Sequence, residues 1–78
     1  MGTKLTGRLE DWSVDGVNSI IWGKIYDDVH KRWYEGKQIH TSYIENVRDM
    51  ELKEGDIVKT LNSTYLLGKP WEMKNAVV

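Results

Sequence analysis

Apolar and polar residues alternate along much of the chain with a period of two, and no stretch sustains a helical period of 3.6. The alternation predicts a strand over Lys4–Trp12, with Leu5, Gly7 and Leu9 on one face and Lys4, Thr6, Arg8 and Glu10 on the other. A turn over Ser13–Asn18 should follow, in which Asp15-Gly16 supplies the positive φ that a tight reversal needs. Ser19–Tyr26 is the strongest strand. Ile21, Gly23 and Ile25 fall on one side, and Ile20, Trp22 and Tyr26 on the other. The run therefore reads as covered on both faces, a central strand with Trp22 in the core. Asp27–Tyr34 and Lys37–Ile44 are strand-like, and Glu35-Gly36 between them reads as a hairpin turn. Glu45–Glu54 has only Val47, Met50 and Leu52 as apolar anchors, and periodicity there does not separate a loop from a helical turn or an irregular strand. In Gly55–Gly68, a two-residue turn at Asn62-Ser63 would pair Thr60 with Tyr65 and Val58 with Leu67. One face then carries Val58, Thr60, Tyr65 and Leu67, and the other Ile57, Lys59, Leu61 and Leu66. Trp71, just after the single proline Pro70, is placed to dock back on the sheet, and residues 72–78 are expected to fray.

Five or six short strands separated by turn signals predict a mainly β fold. We expect a small antiparallel barrel or roll, SH3-like or OB-like, in which closure removes exposed strand edges. At 78 residues the chain is expected to form a single domain over 1–78. Area scaling gives burial of about 63% of the surface that the unfolded chain exposes, so the core is marginal. With no cysteine, the sequence excludes disulfides and any metal site built on sulfur. A formal charge of −1 provides no general field for phosphate backbones. No apolar run approaches the ~20 residues of a membrane helix, and the N-terminus has no signal-peptide core, so no membrane association is expected.

The densest chemistry lies in Val29–Thr41, where Lys31, Arg32 and Lys37 interleave with His30, Trp33, Tyr34 and His40. Rings that stack on bases beside cations that track phosphates form a single-stranded nucleic-acid platform. Against that stands the ordinary alternative, Trp33 in the core and the cations on a wet face. Asp27-Asp28-Val29-His30 has metal-ligand residue types, but adjacent strand residues face apart, so a solvated turn is the expected role and no metal or cofactor is predicted. In His40-Thr41-Ser42 the His and Ser would share a face roughly 6.5–7 Å apart, too far for a base to activate a nucleophile. Asn62-Ser63-Thr64 matches a glycosylation pattern and equally suits a hairpin turn. No convincing catalytic set emerges, and a non-enzymatic role is expected. Four Trp and four Tyr with no Phe favour a binding face, because both rings carry a polar handle suited to a wet interface.

Gln38-Ile39-His40-Thr41-Ser42 and the run Glu54–Pro70 (EGDIVKTLNSTYLLGKP) resemble short uncharacterised proteins encoded by bacteriophages and prophages, and Trp22–Asp28 is similar in style to their middle portion. The resemblance implies a bacterial cytoplasmic setting and carries over no activity, cofactor or catalytic residue. Small phage products often bind a host protein or nucleic acid. The leading expectation is therefore a binding module that presents a Trp/Tyr-rich face to a protein partner or to a second copy of itself. The second is a single-stranded nucleic-acid binder built on residues 30–40. The candidate binding residues are Lys31, Arg32, Trp33, Tyr34, Lys37, His40 and Trp71, and Trp33 or Trp71 is expected to keep an exposed ring.

Overall fold

A computed structural model describes residues 4–71. The fraying expected of residues 72–78 lies outside them. Five strands, β1 (Gly7–Asp15), β2 (Ile20–Tyr26), β3 (Lys37–His40), β4 (Ile57–Lys59) and β5 (Thr64–Leu67), form one sheet in the order β3-β2-β1-β5-β4. A single 3-10 turn, Val47–Asp49, lies in the segment whose periodicity was ambiguous.

The mainly β expectation holds, and two of its details do not. The sheet is mixed: β1 pairs in parallel with β5, while its pairing with β2, and the β2–β3 and β4–β5 pairings, are antiparallel. Nor is the sheet closed into a barrel, since β3 and β4 are its two edges. The side between them is bridged only by the segments that follow each edge: the Leu61 N–H donates to the Tyr43 carbonyl (3.1 Å), and the Ser42 hydroxyl to Thr60 Oγ1 (2.9 Å).

One face of the sheet is buried by Leu9, Ile21, Ile25, Ile39, Val58, Tyr65 and Leu67, with Ile44 and Val47 closing over them and Trp33 and Leu52 packed at the margin. Strand parity accounts for most of this set, but Trp12 breaks it. Leu9 and Trp12 are both buried although three positions apart, because Asp11 and Trp12 together oppose Gly23 in a β-bulge between the pairs Glu10–Lys24 and Ser13–Trp22. Asp11 takes the left-handed conformation (φ 50°), one that Asp tolerates better than most side chains. Gly23 has to be small: a Cβ there would lie 3.2–3.3 Å from Leu9, Glu10 and Trp12. The bulge turns Trp12 inward, where its indole N–H donates to the Gly68 carbonyl (2.8 Å).

The same strands correct the placement of Trp22. β2 is covered on one face only: Ile21, Gly23 and Ile25 point in, while Trp22, 38% exposed, and Lys24 point out. The β1–β2 turn differs in its strained residue, since Ser19 (φ 58°) takes the positive φ expected at Gly16. Asp15 holds this turn by accepting the Val17 and Asn18 N–H groups. Asp27–Gly36 forms the loop of the β2–β3 hairpin, so Asp27–Tyr34 is not a strand. In the β4–β5 hairpin, Val58 pairs with Tyr65 and Lys59 with Thr64, leaving a four-residue loop, Thr60–Ser63. The shift from the expected register is two residues, so the two faces keep their expected members. Thr60 Oγ1 organises the longer loop by accepting the Asn62 and Ser63 N–H groups.

Candidate binding face

The uncovered face of the sheet carries two cross-strand rows. Register places Ser13, Trp22 and His40 in one row across β1, β2 and β3, and Glu10, Lys24 and Gln38 in the next. Trp22 meets His40 edge-on at 4.9 Å between ring centroids, and its indole N–H donates to Asp15 (3.2 Å). The His40 ring is fixed from its other side, with Nδ1 donating to the Thr41 carbonyl (2.9 Å).

Past β5 the chain runs back along β1. Pro70 bridges to Trp12, and the Trp71 N–H donates to the Trp12 carbonyl (2.8 Å). This anchors the Trp71 backbone while its ring stays 55% exposed. Together Asp11, Ser13, Trp22, Lys24, Gln38 and Trp71 line a groove of about 430 Å³. The bulge that buries Trp12 also sets Asp11 and Ser13 on this face.

Lys24 is paired with Asp11 (3.3 Å), and Arg8, over the Tyr26 ring, with Glu10 (2.7 Å) and Asp27 (2.6 Å). Asp15 makes no ion pair among the described residues, although Arg48 lies against the adjoining Gly16. The Asn18 side-chain amide and N–H, with the Trp22 indole N–H, hold its carboxyl below the usual carboxylate range. Beside Trp22 the face therefore carries one carboxylate without an ion-pair partner among the described residues.

The basic–aromatic segment is not one cluster. Arg32 is bound to Asp28, whose carboxylate accepts its backbone N–H (2.8 Å) and two guanidinium nitrogens (3.2 and 3.1 Å). Burial pushes the Asp28 carboxyl up, but these bonds and the His30 N–H outweigh it and hold the group low. Asp28 is thus the hub of the 27–36 loop: the hydrogen-bonding turn expected of Asp27–His30 is present, but Asp28 is buried in it rather than solvated. Trp33 packs half-buried against the core with the Arg32 guanidinium 4.2 Å above its ring. Tyr34 is 71% exposed, and Lys37 reaches over it at 5.4 Å. Lys31, Trp33 and Tyr34 line a second hollow, of about 510 Å³, together with Asp27, Asp28 and Glu35. Lys31, Arg32, Trp33, Tyr34 and Lys37 thus belong to this loop and its rim, whereas His40 and Trp71 belong to the open face of the sheet.

Sequence reasoning missed Ser13, Trp22, Lys24 and Gln38 as members of the face. Lys24 carried a usable signal: a charge that shares parity with Trp22 and Tyr26 marks their row as wet. His40 and Ser42 are separately engaged, with Thr41 and Thr60 respectively. Among the described residues no group of His, Asp and Glu is arranged to hold a metal ion, and no helix is long and apolar enough to cross a membrane. Compared with protein families, curated proteins and solved structures, the chain matches none of them.

Proposed function

We propose that this chain is a non-enzymatic binding module whose open sheet face engages a protein partner. The observation that carries this reading is the pairing of two exposed tryptophans, Trp22 and Trp71, across one groove. Partly exposed tryptophans beside polar groups are the residues that dominate protein interfaces energetically. The neighbouring cations are engaged by carboxylates, which favours a protein surface over a phosphate backbone. The setting we propose is the bacterial cytoplasm of a phage-infected or lysogenic cell, on the strength of the sequence resemblance. The test is affinity capture from bacterial lysate by the wild type, by Trp22→Ser with Trp71→Ser, and by Tyr34→Ser. A captured species lost with the tryptophan pair and kept by Tyr34→Ser supports the reading. Capture indifferent to the tryptophan pair refutes it.

A second reading is a single-stranded nucleic-acid site at the loop, favoured by exposed Tyr34 with Lys37 over its ring and Lys31 nearby. Asp27 and Glu35 in the same hollow oppose phosphate, and Arg32 is already held by Asp28. If that reading is right, affinity for a mixed oligonucleotide falls with salt at a log–log slope near −0.7 per phosphate, with amide shifts centred on residues 30–40.

A further inference from the structure

We infer that the Trp22–Trp71 groove takes an extended, proline-rich peptide segment carrying an arginine or lysine, with the cation seated beside Asp15. The inference rests on the protein-binding reading of this face and names the class of partner.

Length, chemistry and charge each contribute. The groove runs from Trp71, outside β1, across β1 and β2 to Gln38 on β3. Three steps at the spacing of neighbouring strands give about 15 Å, which a polyproline II segment rising 3.1 Å per residue fills with about five residues. Such a segment has no internal hydrogen bonds, so it offers its carbonyls outward, and its prolines bring no N–H that must find an acceptor. The groove matches that one-sided demand. Among the described residues, the Gln38 amide and the Trp71 indole N–H have no hydrogen-bond partner and are available to donate. Trp22 and Trp71 supply the flat aromatic walls between which proline rings pack.

The charge requirement comes from Asp15. Its carboxylate sits at the Trp22 indole N–H and stays ionised, while Lys24, the cation that lines the groove, is drawn to Asp11. Asp15 lies just outside the groove, two residues along β1 from Ser13, so a peptide cation that reaches past Trp22 gains a carboxylate and an aromatic edge, and a peptide anion there meets repulsion. Addition of a strand at the sheet edge fits less well. β3 is only four residues long and begins at Lys37, and short, lysine-bearing edges resist pairing. Nucleic acid fits less well again, because the cations next to the groove, Lys24 and Arg8, are held by carboxylates, and Lys59, which makes no ion pair among the described residues, lies at the far edge of the sheet on β4.

The test uses the full chain with four probes: hexaproline, hexaproline preceded by arginine, hexaproline preceded by glutamate, and a single-stranded oligothymidine. Tryptophan fluorescence and amide chemical shifts are the readouts. The arginine peptide should bind about threefold more tightly than hexaproline, the gain expected of one exposed cation beside a ring and a carboxylate. The glutamate peptide should bind more weakly than either. Shifts should centre on Ser13, Trp22, Gln38 and Trp71. Trp22→Ser and Trp71→Ser should each weaken binding about tenfold or more. Asp15→Asn keeps a side-chain oxygen for the Val17 and Asn18 N–H groups but gives up the acceptor of the Trp22 indole, so it is read as a ratio: the arginine peptide should lose its advantage over hexaproline on the same variant. Gln38→Leu, on an exposed position, checks the donor role independently of the tryptophans.

Oligothymidine binding at the groove without peptide binding overturns the inference. So does an equal affinity of all three peptides for wild type and Asp15→Asn. If no peptide binds while lysate capture still depends on Trp22 and Trp71, the peptide class is wrong and the protein-binding face stands. If peptides bind equally well to both tryptophan variants, the inference and the face fail together.

Discussion

Exchanging Trp12 and Trp22 for phenylalanine, one at a time, tests which face of the sheet is the inside. Trp12 is 5% exposed and donates its indole N–H to the Gly68 carbonyl at 2.8 Å. Phenylalanine at that site removes the donor and leaves a partly buried carbonyl without its partner, which costs about 1–3 kcal/mol. The smaller ring also leaves a gap of roughly 40 Å³, and at about 24 cal/mol per Å³ that adds about 1 kcal/mol. Water reaching Gly68 offsets some of the first cost, so the sum is about 2 kcal/mol. Trp22 is 38% exposed, and its indole donates to Asp15, a residue at the surface. Water replaces that bond, a phenyl ring preserves the edge contact with His40, and the cost stays within about 0.5 kcal/mol. With a urea slope of about 1 kcal/mol per molar, the midpoint should fall by about 2 M for Trp12→Phe and by no more than about 0.5 M for Trp22→Phe. Circular dichroism follows both transitions independently of the tryptophans. A Trp22→Phe shift as large as that of Trp12→Phe would mean that the faces are reversed, and the groove proposed as a binding site would then be core.

Three further outcomes follow from other parts of the sheet. Thr41 Oγ1 accepts the buried Ile21 N–H at 3.0 Å, so the near-isosteric Thr41→Val should cost about 1–3 kcal/mol in urea melts; a change below about 0.3 kcal/mol would show that this bond is dispensable. A Cβ on Gly68 would overlap the Glu10 carboxylate, which must then release the Lys69 N–H and Arg8. Gly68→Ala should therefore cost about 1–2 kcal/mol in the wild type and almost nothing beside Glu10→Ala, whereas a double-mutant cycle showing additivity would exclude the clash. Asp28 ionises below the ordinary 3.8 of an aspartate because its bonds from Arg32 outweigh the burial that opposes them. Its stabilisation is present above that ordinary value and is lost as pH falls through the depressed one, so urea midpoints should drop on acidification and Asp28→Asn should flatten the drop, contrary to which an unchanged acid limb would remove Asp28 from its cause.

The segments that hold the five strands were readable because alternation is a local property, although the same reading made a strand of Asp27–Tyr34, which is a loop. The faces of β4 and β5 were assigned correctly even though their register was not, because a slip of two residues leaves every side chain on its own side. The slip itself came from Thr60, whose hydroxyl accepts two N–H groups and makes a four-residue loop where Asn62-Ser63 suggested a two-residue turn. The bulge at Asp11–Trp12 gave no such notice. Neither Gly nor Pro marks it within β1, and the residue that makes room, Gly23, lies on the neighbouring strand. The parallel pairing of β1 with β5 joins Gly7–Leu9 to Tyr65–Leu67, and nothing local to either segment specifies the direction in which they meet.

The candidate site was harder to read than the fold, for a physical reason that Trp22 and Arg32 illustrate from opposite sides. A period of two states which residues share a face but not whether that face is covered, and covering depends on elements far away in the chain. Trp22 looked like core because Ile20 and Tyr26 share its parity, yet the elements closing over the sheet, Ile44, Val47 and Trp12, all do so from the side of Ile21 and Ile25. Arg32 looked free because its neighbours Lys31 and Trp33 suggested a binding platform, yet Asp28, four residues earlier, claims its guanidinium. Composition counts cations without showing which of them are already paired. The aromatic count, four Trp and four Tyr without Phe, pointed towards a wet interface but not to its location. That location follows from register: the pairing of Ser13 with Trp22, and of Trp22 with His40, puts a ring, a hydroxyl and an imidazole from three strands into one row, with the chain after β5 bringing Trp71 beside it.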